Sequence, residues 1–260
     1  MDLVLRICDN HFFDKVWAGL LPFSVPRDSI PRQLISLCAI TLIGIHVLYF
    51  LCAWVSYRFM FNHEIMKHPK FLKNQVKLEI QFSLRSFFPA TLLTLPWFQA
   101  EVMGYSKLYD GFDTYGYFYL FASIPLSVFL SHFHWMPHTD LFHPFSFLLF
   151  TDYCIYWVHR LLHHPFFYKH IHKPHHRWIS TYSIYLHLFE LHSPLSTLLV
   201  PTPFASHAFH PLDGYLQSVP YHLFVFLFPV NRVVYLALFI IVNLWTVFVS
   251  TSWMVHTSKF

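Results

Sequence analysis

The chain has 260 residues, of which 55% are hydrophobic and only 12% charged, with a mean hydropathy of +0.43. A soluble domain carries about a quarter charged residues, so this composition excludes an ordinary soluble enzyme and points to an integral membrane protein. The formal net charge of +4 is too small to make a nucleic-acid binder, and where the charges sit says more than their sum.

The N-terminal stretch holds Asp2, Arg6, Asp9, Asp14 and Lys15. No cleavable signal core precedes the first long apolar run, which would act as an uncleaved anchor. That run covers residues 34–57 and holds no charge apart from a proton on His46. It exceeds the roughly 20 residues that cross a bilayer. Lys67, Lys70, Lys73 and Lys77 follow it and mark the cytosolic side. A second span over 82–100, interrupted by Arg85, Pro89 and Pro96, returns the chain to the far side. Residues 101–116 read as a polar, turn-rich loop. Two short apolar pieces follow, 117–130 and 142–158. Because the basic residues after His159 should share the cytosolic side with the lysines, one piece crosses and the other is interfacial or re-entrant. Residues 179–200 are mildly apolar. The last apolar region, 221–249, is broken by Pro229, Asn231 and Arg232, and reads as a helical hairpin or one broken span. The expected fold is all-α: a polytopic membrane helical bundle of about four spans with a cytosol-facing, histidine-rich metal site. Cys8, Cys38, Cys52 and Cys154 are scattered without a C-x-x-C and read as small hydrophobes.

The chemistry concentrates in "HRLLHHPFFYKHIHKPHH", residues 159–176. His159 and His163 are four apart, so they share one helix face about 6 Å apart along the axis. Asp152 stands seven before His159 on that face and could hold a ring N–H, fixing the tautomer. His164 points to the adjacent face and could reach a second ion. His172, His175 and His176 repeat the pattern, with Pro174 suggesting a turn at Lys173 that re-aims the rings; His170 stands alone. Imidazole suits iron, zinc, copper and nickel, and the absence of nearby cysteine argues against structural zinc. Six imidazoles exceed one tetrahedral site, so two ions are the economical reading. A solvated basic face against anionic headgroups is the bland alternative. His11, His46, His63, His68, His187, His192, His222 and His256 read as interfacial polar residues, and His132, His134, His138 and His143 as local bias.

"TDYCIYWVHRLLHH", "KHIHKPHH" and "PTPFASHAFHPLDG" resemble the membrane-bound fatty acid hydroxylase/sterol desaturase superfamily. "MDLVLR", "MKHPKFLKNQV" and "GYSKL" bring the chain closest to its sterol 5-desaturases. The resemblance implies a multi-pass endoplasmic reticulum enzyme whose histidines hold a di-iron centre facing the cytosol. It implies O2 as co-substrate, and electrons from NAD(P)H through a reductase and cytochrome b5. The reaction it implies removes two hydrogens from a Δ7-sterol to form the 5(6) double bond. The sterol would enter laterally from the membrane lipid. In "FASHAFHP", His210 precedes Pro as in the family pattern and is a further candidate ligand, with His207 as a polar residue orienting the site.

The resemblance divides the chain into an N-terminal membrane region, 1–120, and a desaturase-like region, 121–260. Residues 126–146 and 179–199 look like extra sequence. The family also carries a further H-x-x-H-H beyond the last membrane segment, whereas only His222 and His256 follow Pro211. The expectation is therefore a truncated or alternatively spliced form with weak or no activity. Two other classes stand beside it: a non-catalytic partner of intact family members, and a membrane metal-binding protein or transporter. The latter would need ionisable groups deep in its spans, where the candidates are chiefly His46 and Asp152.

Overall fold

Residue spacing along the chain already hints at long helices, and the computed structural model is mostly helical over the residues it describes: 1–20, 25–67, 69, 71–110, 142–176 and 201–257, with only the backbone described at 65, 142–145 and 248–257. The apolar piece at 117–130, His132, His134, His138, His187, His192 and the 179–199 segment lie outside them, as do His68 and the side chains of His143 and His256.

Helices α1 (Asp2–Cys8) and α2 (Asp14–Leu20) flank a π-helical turn, Asp9–Phe13. They fold back on the first long helix. Leu5 packs with Leu37, Leu95 and Phe98, and buried Arg32 pairs with both Asp9 and Asp14. Asp9 and Asp14 are thus internal partners of α3.

Helix α3 (Ile30–Phe59) starts with Pro31 in its first turn, where the missing N–H costs nothing. It is the one helix among the described residues long and apolar enough to cross a membrane. Ile35, Ile43, Val47, Leu51 and Trp54 face outward, while Leu37, Tyr49 and Ala53 are buried. Helix α4 (Gln75–Val102) runs antiparallel to it, with Leu37 near Leu95 and Tyr49 near Phe87. It continues through Pro89 and Pro96 without a break; in apolar surroundings the helix is retained because neighbours satisfy the few freed groups.

After Gly104, whose φ of 81° a side chain would strain, a two-residue strand β1 (Leu108–Tyr109) pairs in parallel with β2 (Val230–Asn231). Helix α5 (Phe142–Leu162) follows, then α6 (Pro165–Phe167), a π-helical turn (Tyr168–His172) and α7 (Lys173–His176). The last apolar region is a pair of helices, α8 (Pro211–Leu227) and α9 (Arg232–Thr257), separated by β2. Helix α8 begins well before the apolar window because His210 caps it, Pro211 opens it and Asp213 suits its first turn. Phe147 of α5, Phe224 of α8 and Tyr235 of α9 join in one buried cluster.

The 3-10 turn Pro203–His207 wedges against α3 and α4. Tyr49 Oη donates to Phe204 O at 2.7 Å. Buried Glu79 accepts from Thr202 N–H at 3.1 Å and from its hydroxyl. Segments on either side of residue 120 therefore share one packed interior. All four cysteines are free.

Candidate metal centre

The last turn of α5 carries His159, and His163 follows directly after the helix on the same side, with their Nε2 atoms 3.1 Å apart. His164, in extended conformation, ends that helix and caps α6. The wide π-helical turn then swings His172 inward until it is fully buried. One turn on, α7 delivers His176. Lys173 is helical (φ −52°, ψ −38°), which corrects the expectation of a break before Pro174. The proline sits in the first turn of α7, where a helix tolerates it, and the π-helical turn re-aims the rings instead.

The ligand nitrogens of His159, His163, His172 and His176 all lie within 4.8 Å of one another. Ring centroids of His172 stand 4.6 Å from those of both His159 and His176. The carboxylate serving the cluster is Asp213, from the first turn of α8. Its Oδ2 accepts from His172 Nδ1–H at 2.8 Å, and Gln217 Nε2 donates to its Oδ1 at 2.6 Å. Both His172 and Asp213 are fully buried. With Nδ1 carrying the proton, His172 Nε2 presents a lone pair to the cluster.

These donors fit a cation. Among the described residues His172 Nε2, His176 Nε2 and His175 Nδ1 are buried with no hydrogen-bond partner, a costly arrangement unless something meets them. Burial, reinforced by the neighbouring rings, holds His159 down at about 4 and His176 at about 2, and lowers His163. Neutral imidazoles at pH 7 are the ligating form.

The remaining sequence candidates lie elsewhere. His164 is exposed, with its ring toward Phe167. His175 lies beside the cluster, 5.5 Å from His172 between centroids, and burial lowers it to about 4. His210 is half-exposed and accepts from Leu212 N–H at 3.3 Å through Nδ1. His207 is buried, with Nδ1 3.1 Å from Ser206 Oγ, and burial holds it at about 4. Asp152 is exposed on α5, and the carboxylate that bonds a ring of the cluster is Asp213, on His172. Asp213 and Gln217 escaped the sequence reading. A signal was present: an acid three residues past His210, just inside a helix start after Pro211.

A cavity of about 670 Å³ reaches from His175 between α3, α4, α8 and α9 to α1. Leu48, Phe87, Ala90, Phe98, Leu236 and Phe239 are among its apolar lining, and Ser206, His207 and Tyr215 add polar atoms. Its size falls within the ~300–1,000 Å³ of small-molecule sites. Phe209 and Gly214 form part of its wall near His175. A Cβ on Gly214 would come within 2.0 Å of the Phe209 ring, so only glycine lets that ring lie flat there. His222, an interfacial residue by sequence, is instead fully buried in this wall, stacked 6.2 Å from Trp97.

Comparison with known proteins gives a consistent answer. The chain is 46% identical to the lathosterol oxidase of Homo sapiens over 249 residues, covering 95% of the chain and 69% of that protein. It is 44% identical to the lathosterol oxidase of Rattus norvegicus over the same shares of both chains. It is 40% identical to the Δ7-sterol 5(6)-desaturase of Schizosaccharomyces pombe over 260 residues, all of the chain and 71% of that protein. No protein-family model and no solved structure matches the chain.

Proposed function

The chain belongs to the lathosterol oxidase/Δ7-sterol 5(6)-desaturase family, and on that premise we propose that it is a sterol 5-desaturase converting lathosterol to 7-dehydrocholesterol. The observation that carries the reading is the four-histidine cluster set beside an apolar cavity, with His175 touching both. In the balanced reaction the sterol loses one hydrogen from C5 and one from C6. O2 becomes two waters, taking up those two hydrogens with two further electrons and two protons. Cytochrome b5 and its NAD(P)H-dependent reductase supply the electrons.

We assign iron to the cluster. Iron, when bound, supplies the O2 activation that an unactivated C–H bond requires. His159, His163, His172 and His176 hold it, and Asp213 keeps His172 in the ligating tautomer. Among the described residues, His175 Nδ1, buried and without a hydrogen-bond partner, is the nearest further donor for a second iron. The cavity holds the sterol by apolar contact and keeps water from the reacting carbons. Large apolar side chains face outward on α3, α4, α5 and α9, including Val47, Leu92, Leu149 and Ile240. They suit a multi-pass protein of the endoplasmic reticulum membrane, with the cluster on the cytosolic side and the sterol entering from the bilayer.

The test is expression of this chain in cells lacking sterol 5-desaturase, followed by sterol profiling. Appearance of 5,7-diene sterols supports the reading. Continued accumulation of Δ7-sterols alone, with the protein present in the membrane and loaded with iron, refutes it.

A further inference from the structure

The desaturase reading, on which this inference rests, constrains which end of the cavity receives the sterol hydroxyl. The bond desaturated joins C5 to C6, and C3, which bears the 3β-hydroxyl, is two bonds from C5. The hydroxyl must therefore lie at the same end as the reacting carbons, beside the histidine cluster, while the hydrocarbon tail runs away from it. Polar lining at the far end cannot serve. His222 lies nine residues along α8 from Asp213, about 13 Å at 1.5 Å per residue.

Near the cluster, the polar side chains in the cavity wall include His175, Ser206 and His207. His175 adjoins the cluster rings. His207 stands one ring further off: Phe209 lies 6.1 Å from His175 and 5.9 Å from His207 between centroids. We propose that His207, oriented by Ser206, binds the 3β-hydroxyl of the sterol.

The ring is built to hold still. Its Nδ1 meets Ser206 Oγ at 3.1 Å. Tyr49 and Phe87 present it with edge-on contacts at 5.5 and 6.1 Å. The turn that carries it is pinned by Tyr49 Oη on Phe204 O and by Glu79 on Thr202. Among the described residues, no protein group bonds its Nε2. A neutral imidazole with a rotatable hydroxyl behind it can meet an alcohol in either sense. When Ser206 donates to Nδ1, Nε2–H donates to the sterol oxygen. When Nδ1–H donates to Ser206, Nε2 accepts from the sterol O–H. Such preorganised polar groups in an apolar wall discriminate sharply against a ligand that leaves them unpaired.

The test is equilibrium binding of a radiolabelled Δ7-sterol to the purified full chain in detergent micelles, competed by the unlabelled 3β-alcohol or its 3-deoxy analogue. The wild-type protein is expected to bind the alcohol about tenfold more tightly. In His207→Phe the two ligands are expected to bind within about twofold of each other. His207→Gln, which keeps a donor and an acceptor, retains a preference of several-fold, and Ser206→Ala narrows it. A ratio of two affinities measured on one protein is unmoved by a lowered folded fraction. A tenfold preference surviving in His207→Phe, or equal binding of both ligands by the wild type, overturns the hydroxyl assignment alone. Absence of saturable binding by either ligand overturns it together with the desaturase reading.

Discussion

Helix α3 and the segment from His159 to His176 treat their polar groups in opposite ways. In α3, Thr41 donates to Leu37 O at 2.8 Å and His46 Nδ1–H to Leu42 O at 2.7 Å, each one turn back. Those side chains are closed off by their own helix, which is how a polar residue survives in apolar surroundings. In the second segment, four imidazoles point at one another, and among the described residues His172 Nε2 and His176 Nε2 have no hydrogen-bond partner. Polarity alone marks neither function nor damage. What separates the two regions is whether the buried polar atoms have partners, and unpartnered nitrogens that converge mark the place where a ligand belongs.

That contrast can be broken by substitution. The largest expected effect follows His163→Ala, which removes a converging nitrogen: iron content of the purified protein, measured by elemental analysis, is expected to fall by more than half, and desaturation by at least about 100-fold. Next comes Asp213→Asn, which leaves shape but weakens the grip on His172 Nδ1–H. Iron affinity, measured by competition with a chelator, should drop about 10- to 100-fold.

Acidification probes the same atoms. His159, His175 and His207 have ordinary values of 6.5 and are held at about 4 by burial. Below 6.5 the unfolded chain takes up protons that the folded chain refuses, so stability is lost as pH falls from about 6.5 toward 4. The thermal midpoint of metal-free protein, followed by circular dichroism, should fall across that window. A rise on acidification would contradict the burial of these rings.

A smaller effect is expected from Gly214→Ala. The added methyl displaces the Phe209 ring from its place against α8, narrowing the cavity beside His175. KM for the sterol should rise several-fold while iron content stays unchanged. The smallest follows Thr41→Val in α3. Its hydroxyl only returns to its own helix, so a shift in thermal midpoint beyond about 2 °C would show that α3 is not the self-satisfied element described.

The comparison also explains what could be read in advance. The α3 run, the helix α4 and the i, i+4 pair His159/His163 are local patterns, and local patterns survive into the fold because a helix is stabilised by neighbours in sequence. Pro89 and Pro96 do not end α4, which passes through both. His222 read as interfacial because its sequence neighbours are apolar, and its burial depends on Trp97 from another helix.

By itself, then, the sequence determined a largely helical, strongly apolar chain with histidines spaced on helical turns as candidate metal ligands, and the resemblance of its motifs pointed to sterol chemistry. Only the tertiary structure decided which histidines converge, that Asp213 bonds His172, and that His207 lines the cavity. The physical reason is that ligand convergence and charge pairing are contacts between distant segments: 41 residues separate His172 from Asp213. Spacing along one helix can place two side chains on a common face, but the partner that faces them is chosen by packing.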